Sequence, residues 1–384
     1  MNNPQSTPSR GVKVLGATPC LHRGRPTGEK RPCGSCKGSV QAHLFKCAKF
    51  GSCSLVKAVH DDRGKPIAVC HGCTSRVDPP TPGPRIPLHL ASRVPGSEST
   101  GIVFDEHNLH PGFPGKRFNP AMIPWGNGYA MAWRHGWMGC EVFVTMLDWH
   151  FRPVGNPIRL NLHHEAATYG REDPRFFWFR GQLHICYTGV IGGNGPTNVL
   201  YARLSPEFKV EEIFHPVIPG RNSWEKSHQY FEYEGTLYAV YSFAPHKILR
   251  IDGNKAEWAY ETPVAANWQP HTEIRGGAAP VLVGNEWWSF MHSRVENPRV
   301  YWMGLYTFEA KPPFRVSRMV LDPLLWADTT TRPADQYCSA IFPCGAFRRG
   351  DEWIISAGEH DRWSVIHRWS HAELEKRLVA SETP

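Results

Sequence analysis

The chain has no apolar run approaching the roughly 20 residues a membrane helix requires, so no spanning helix is expected. Its opening, Met1-Asn-Asn-Pro-Gln-Ser-Thr-Pro-Ser-Arg10, has no apolar stretch of the kind a secretory signal carries, and a cytoplasmic location is expected. Long amphipathic periodicity is scarce before the last residues, which argues against a helical bundle. Cysteine is scarce beyond residue 75: only Cys140, Cys186, Cys338 and Cys344 of the 11 lie there. In apolar strand contexts these four read as buried free thiols.

What is present points to strands. Gly 35, Pro 34 and Trp 15 in 384 residues favour many turns and many aromatic strands, an all-β signature. A hydrophobic share of 41% against 20% charged belongs to a folded globular protein. The net charge of +8 is unevenly placed. Residues 1–100 hold 15 Lys/Arg against 5 Asp/Glu, and the remainder 28 against 30. A basic N-terminal segment suits an anionic partner or merely a solvated module.

That segment also holds the paired cysteines. Cys33-Gly-Ser-Cys36 and Cys70-His-Gly-Cys73 each place two thiolates on one tight turn, and two such turns close a tetrahedral zinc site. Cys20, His22, Cys47 and Cys53 offer a second site, with an iron–sulfur cluster as the alternative occupant. The segment is too small and polar to fold on an apolar core, so a bound ion would supply stability. Thr27-Gly-Glu-Lys30 is the linker sequence of DNA-reading fingers, but no paired-histidine helix follows Cys36, and nucleic acid is not an expected partner. With its Cys20-Leu-His-Arg-Gly24 opening, the segment resembles zinc-ribbon-like modules that precede sugar-processing domains. Residues 1–76 are therefore read as a metal-binding module and the Pro-rich 77–100 as a linker.

From residue 101 onward, short strands alternate with Gly/Pro/Asn turns. Gly128–Trp133, Gln182–Tyr187, Thr236–Ser242, Glu286–His292 and Glu352–Ser356 each follow a Gly-containing turn. Each is preceded by a polar motif: Phe118-Asn-Pro120, Glu172-Asp-Pro-Arg175, Trp224-Glu-Lys-Ser227, Arg275-Gly-Gly-Ala-Ala-Pro280 and Cys344-Gly345. Repeats of roughly 50–60 residues fit four-stranded propeller blades, and five occurrences predict a five-bladed β-propeller. A two-sheet sandwich is the alternative, but it would not gather the polar motifs around one channel. Pro174 predicts an extended Asp173, and Arg180-Gly181 a tight turn. Ser370 and Glu373 predict a capping box opening a short C-terminal helix.

Together, Asn119-Pro120, Glu172-Asp-Pro-Arg175, Gly276-Gly-Ala-Ala-Pro280 with Trp287 and His292, and Gly358-Glu-His-Asp361 resemble glycoside hydrolase family 130. That family comprises β-mannoside phosphorylases and hydrolases, with related β-mannosyltransferases. The resemblance runs from about residue 101 to the C-terminus. It implies a central-funnel active site acting on an oligosaccharide or glycoconjugate, with phosphate as a possible co-substrate. It implies Asp173 as proton donor, acting through a sugar hydroxyl, with Asn119 and Asp361 gripping the sugar and Lys226 in an anion pocket. Arg134, Arg175, His246, His292 and Arg294 are further basic groups on these motifs. Asn198 stands where phosphorylases often carry arginine, which favours hydrolysis or transfer; a hydrolase would take Glu359 or Asp361 as base. Inverting phosphorolysis needs one acid plus cations in place of a second carboxylate. A non-catalytic binding propeller would instead show poorly charged channel walls.

Overall fold

The computed structural model describes residues 116–136, 139–193, 195–264, 274–296, 299–327 and 339–380, together with the backbone of several strands before residue 105. Two compact units divide the chain, Met1–Gly83 and Pro84–Pro384. The first contains a three-stranded antiparallel sheet, Ala42–His43, Val56–His60 and Pro66–Cys70. The side chains of all eight expected zinc ligands lie outside the described residues.

The second unit is an all-β, propeller-like arrangement with one short helix. Four sheets are four-stranded and antiparallel, three of them meanders of consecutive strands. The first blade is Arg117–Trp125, Gly128–His135, Glu141–Leu147 and Pro153–Arg159. The second is Gly170–Phe179, Gln182–Val190, Thr197–Leu204 and Val210–Phe214. The third is Gln229–Tyr233, Thr236–Ser242, His246–Asp252 and Lys255–Thr262. A closing blade combines Ile341–Arg349, Glu352–Glu359 and Trp363–Ser370 with Ser97–Phe104, a strand that precedes the first blade in sequence. The stretch read as linker thus contributes strands. Ala91–Ser92 pairs with Leu325–Ala327, and Ser97 opens the closing strand.

The expected five equal blades become four, because the remaining sheet has eight strands. Its inner strand is broken: Ile274–Gly276 and Val281–Val283 both pair with Glu286–Glu296. Pro280 lies in the break and has no N–H to give to a ladder. Arg299–Glu309 and Val316–Val320 continue the sheet, and Leu378–Ala380 extends its far edge.

All five strands singled out by turn and pattern form the second strand of their sheet. Most of their residues are buried. Leu183 through Val190 are all buried, and His184 stacks on Phe177 at 5.2 Å. Trp133, Trp288, Trp302, Trp353 and Trp369 are fully buried, large side chains filling the spaces beside these central strands. Arg180 and Gly181 take φ of 50° and 69°, the paired left-handed geometry of a tight hairpin turn. The helix His371–Arg377 follows Ser370, but Ser370 makes no side-chain cap hydrogen bond, so the helix start is present without its capping box. Among the described residues no helix is long and apolar enough to cross a membrane.

Candidate active site

The site begins as two matching backbone irregularities. Asn119 and Asp173 both have φ of 53°, and each sits at a register shift in the inner strand of its blade. Asp173 is therefore left-handed within a bulge, not extended as the following proline suggests. Asn and Asp tolerate this region better than other side chains, and a bulge re-aims the side chain it carries. The two re-aimed groups meet: Asn119 Nδ2 donates to Asp173 Oδ1 at 2.6 Å. Gly358 makes room for them, since a Cβ there would lie 1.9 Å from Asn119 Oδ1.

Arg134 completes the cluster. Its Nη1 donates to Asp173 Oδ1 at 3.3 Å and its Nη2 to Glu172 Oε1 at 2.9 Å. Lys226 Nζ reaches Glu172 Oε2 at 2.8 Å. Its neighbour Glu225 is engaged elsewhere, by His228, Tyr241 and the Asn222 amide. Burial alone would raise the Asp173 pKa, but Arg134, Lys226, Arg175 and the Asn119 hydrogen bond outweigh it and hold the carboxyl below its usual value. Burial likewise opposes charge on Arg134, yet Glu172, Cys140 and Asp173 raise its pKa. The Cys140 thiol, with Cys186 and Cys344, is free and buried; Cys338 lies outside the described residues.

These groups border a cavity of about 470 Å3. Asn119, Arg134, Asp173, Lys226, His292, Arg294 and Asp361 all line it. Two expected sugar-binding residues do not. Arg175 is buried and donates to the carbonyls of Asp173, Gly276 and Gly277. It ties the acid's strand to the broken strand of the eight-stranded sheet. His246 packs in the core against Tyr306 and Phe308, bonded through Nδ1 to the Phe314 carbonyl at 2.9 Å. Burial pushes its pKa down to about 4. Asn198 is also structural, donating to the Ala166 carbonyl at 2.9 Å and accepting from Arg221. Of the two base candidates, Asp361 lines the cavity. Glu359 is buried and lies outside the lining, and desolvation pushes its pKa up to about 8. His367 Nε2 is 3.7 Å from the Glu359 carboxyl, too far for a hydrogen bond.

The lining also includes Glu172, Trp224, Arg275, Arg299 and Tyr301, none of them singled out as site residues from sequence. A pattern was present for three of them. Arg275 pairs with His292, and Arg294 pairs with Tyr301 across the sheet. With the period of two along each strand, His292, Arg294, Arg299 and Tyr301 share one face. His292 is kept neutral: burial, then Arg175 and Arg275, hold its pKa well below the usual value. Its Nδ1 is buried with no hydrogen-bond partner among the described residues. Among the same residues no cluster of His, Cys, Asp and Glu forms a metal site.

No protein-family model matches the chain, and no curated protein does. Solved structures do. A GH130 structure is similar at 12% identity with a TM-score of 0.57, over 76% of this chain and 96% of that one; its description says that this family of mannoside phosphorylases contains glycoside hydrolases targeting β-1,2 mannosidic linkages in Candida mannan. A glycosyl hydrolase from Bacteroides ovatus is similar at 13% identity with a TM-score of 0.53, over 70% and 87%. The fold is thus one that carbohydrate-active enzymes use.

Proposed function

We propose that the chain is an inverting carbohydrate-active enzyme that moves a β-mannosyl-type sugar between phosphate and a sugar hydroxyl. The observation carrying this reading is one cavity that holds an Asp173 carboxylate fixed by Asn119 and Arg134 together with Arg275, Arg294 and Arg299. Clustered guanidinium groups suit a phosphate's oxygens. In the cleaving direction, a phosphate oxygen bonds to the anomeric carbon as the glycosidic C–O bond breaks. The leaving oxygen takes its proton from Asp173, relayed by a sugar hydroxyl, and the configuration inverts. In the transfer direction the acceptor hydroxyl attacks, phosphate leaves onto the arginines, and Asp173 receives the proton. A carboxyl held below its usual pKa stands ready to accept the proton in the transfer direction. Asp361 supports a second reading, hydrolysis, in which it activates water.

The test uses the full chain with a panel of β-mannosides, with and without inorganic phosphate, and mannose 1-phosphate with sugar acceptors. Sugar phosphate, free sugar and released phosphate are measured. Phosphate-linked turnover is expected. Phosphate-independent release of mannose moves the assignment to hydrolysis, and no turnover of any member overturns it.

The eight-stranded sheet takes the fifth blade position in this reading. Residues 1–76 bind zinc through Cys33, Cys36, Cys70 and Cys73, in a reducing, cytoplasmic setting that keeps thiols unpaired. Elemental analysis of protein purified under reducing conditions should find zinc; its absence would remove the metal assignment.

A further inference from the structure

Trp224 is the least expected residue at the cavity. It lines the space beside Lys226, yet 58% of it is exposed to solvent. Singly exposed apolar rings are common, and Trp149, Trp178 and Trp258 are exposed as well; Trp224 differs from them in bordering the cavity. This one stands on a tightly tied backbone. Thr197 N donates to the Ser223 carbonyl at 3.0 Å, Glu225 N donates to the Thr197 carbonyl at 3.2 Å, and Thr197 Oγ1 donates to the Glu225 carbonyl at 2.8 Å. Trp224 is the residue between these ties.

Glu225 adds a second anchor. Its side chain is buried at 3% exposure. It accepts from the Asn222 amide at 2.7 Å and from Tyr241 Oη at 3.0 Å, and it pairs with His228 at 3.1 Å. Burial opposes the charged form of Glu225, but His228, Asn222 and Tyr241 outweigh it and keep the carboxyl below its usual value. A buried, satisfied carboxylate of this kind holds geometry. The frame therefore presents an apolar ring on a fixed backbone at the cavity, so the backbone part of its ordering cost is met before any ligand arrives.

The cavity's lining combines different chemistries. Asp173 with Asn119 and Arg134 forms one wall, and Arg275, Arg294 and Arg299 supply the cationic lining. Trp224 adds an aromatic face that no other exposed residue of the lining provides, since Tyr301 and Phe342 are half-buried. Pyranose rings offer a patch of C–H groups on one face and hydroxyls at the rim, which suits a flat ring with polar neighbours.

We propose that Trp224 is the stacking platform for the second sugar of the substrate, the residue on the acceptor side of the bond that is made or broken. The proposal rests on the carbohydrate reading above and goes further by assigning a subsite and its ligand class, a neutral pyranoside joined to the transferred sugar. Trp224 binds and orients this sugar and takes no part in proton transfer.

Calorimetric titration tests it with three probes, mannose, β-linked mannobiose and β-linked mannotriose, on the full chain and on Trp224→Ala and Trp224→Phe. Wild type should bind mannobiose roughly tenfold or more tightly than mannose, the scale expected from covering one aromatic face. Trp224→Ala should lose that advantage while binding mannose unchanged, and Trp224→Phe should keep most of it. In turnover, Trp224→Ala should raise KM for the disaccharide by a similar factor with kcat little changed. Equal mannobiose affinity in wild type and Trp224→Ala, with mannose still bound, overturns the platform and leaves the enzyme reading standing. If wild type binds none of the three probes, both readings fall.

Discussion

Asp173→Asn should leave a folded protein with turnover reduced by about 10²–10⁴-fold, the usual cost of losing a positioned proton-transfer group. Asparagine accepts the left-handed backbone that Asp173 adopts, and Arg134 keeps its bond to Glu172, so the cluster should remain assembled. Melting temperature and turnover measured on the same preparation decide the matter. Wild-type-like turnover, or a loss of rate no larger than the loss of folded protein, would refute the assignment. The wild-type pH profile gives an independent check. Because the carboxyl is held below its ordinary value, the group stays ionised in solution acidic enough to protonate an ordinary aspartate. In the transfer direction the rate should therefore be lost only in more acidic solution.

Arg175→Met should both destabilise the protein and shift that acidic limit upward. The guanidinium serves the buried carbonyls of Asp173, Gly276 and Gly277. Methionine leaves them without a donor, at about 1–3 kcal/mol for a buried group left unpaired, and a net loss of roughly 2–4 kcal/mol is expected. Its positive charge also helps to depress the Asp173 pKa, so its removal should raise that value. Denaturant titration and the pH–rate profile report the two effects separately. Arg175→Lys should rescue neither fully, since one ammonium cannot span the fork of acceptors. Unchanged stability would show that the staple is dispensable.

The two residues also mark what the amino-acid order discloses. The second strands were legible because a Gly turn followed by an apolar run needs no distant partner to be recognised. The polar motifs were legible because they recur at matching places. The role of Arg175 was not, for it depends on carbonyls about a hundred residues away. His246 misled for a similar reason: the strand it opens lies third in its blade, and its ring packs in the core. The eight-stranded sheet draws Ala91–Ser92 and Leu378–Ala380 from opposite parts of the chain, and no local pattern announces such pairings. Trp224 was visible in its motif, but its place at the cavity depends on blades distant in sequence.

Glu359, set aside above as a base, links folding to protons. An unfolded glutamate ionises near pH 4.3, whereas this one does so at about 8. At neutral pH each molecule that unfolds therefore releases a proton from this side chain, and each that folds takes one up. The sign follows directly: the contribution is full below about pH 4.3 and declines as pH rises through 8, so alkaline solution favours the unfolded chain at this position. The closing blade thus carries a stabilising contribution that alkaline solution removes.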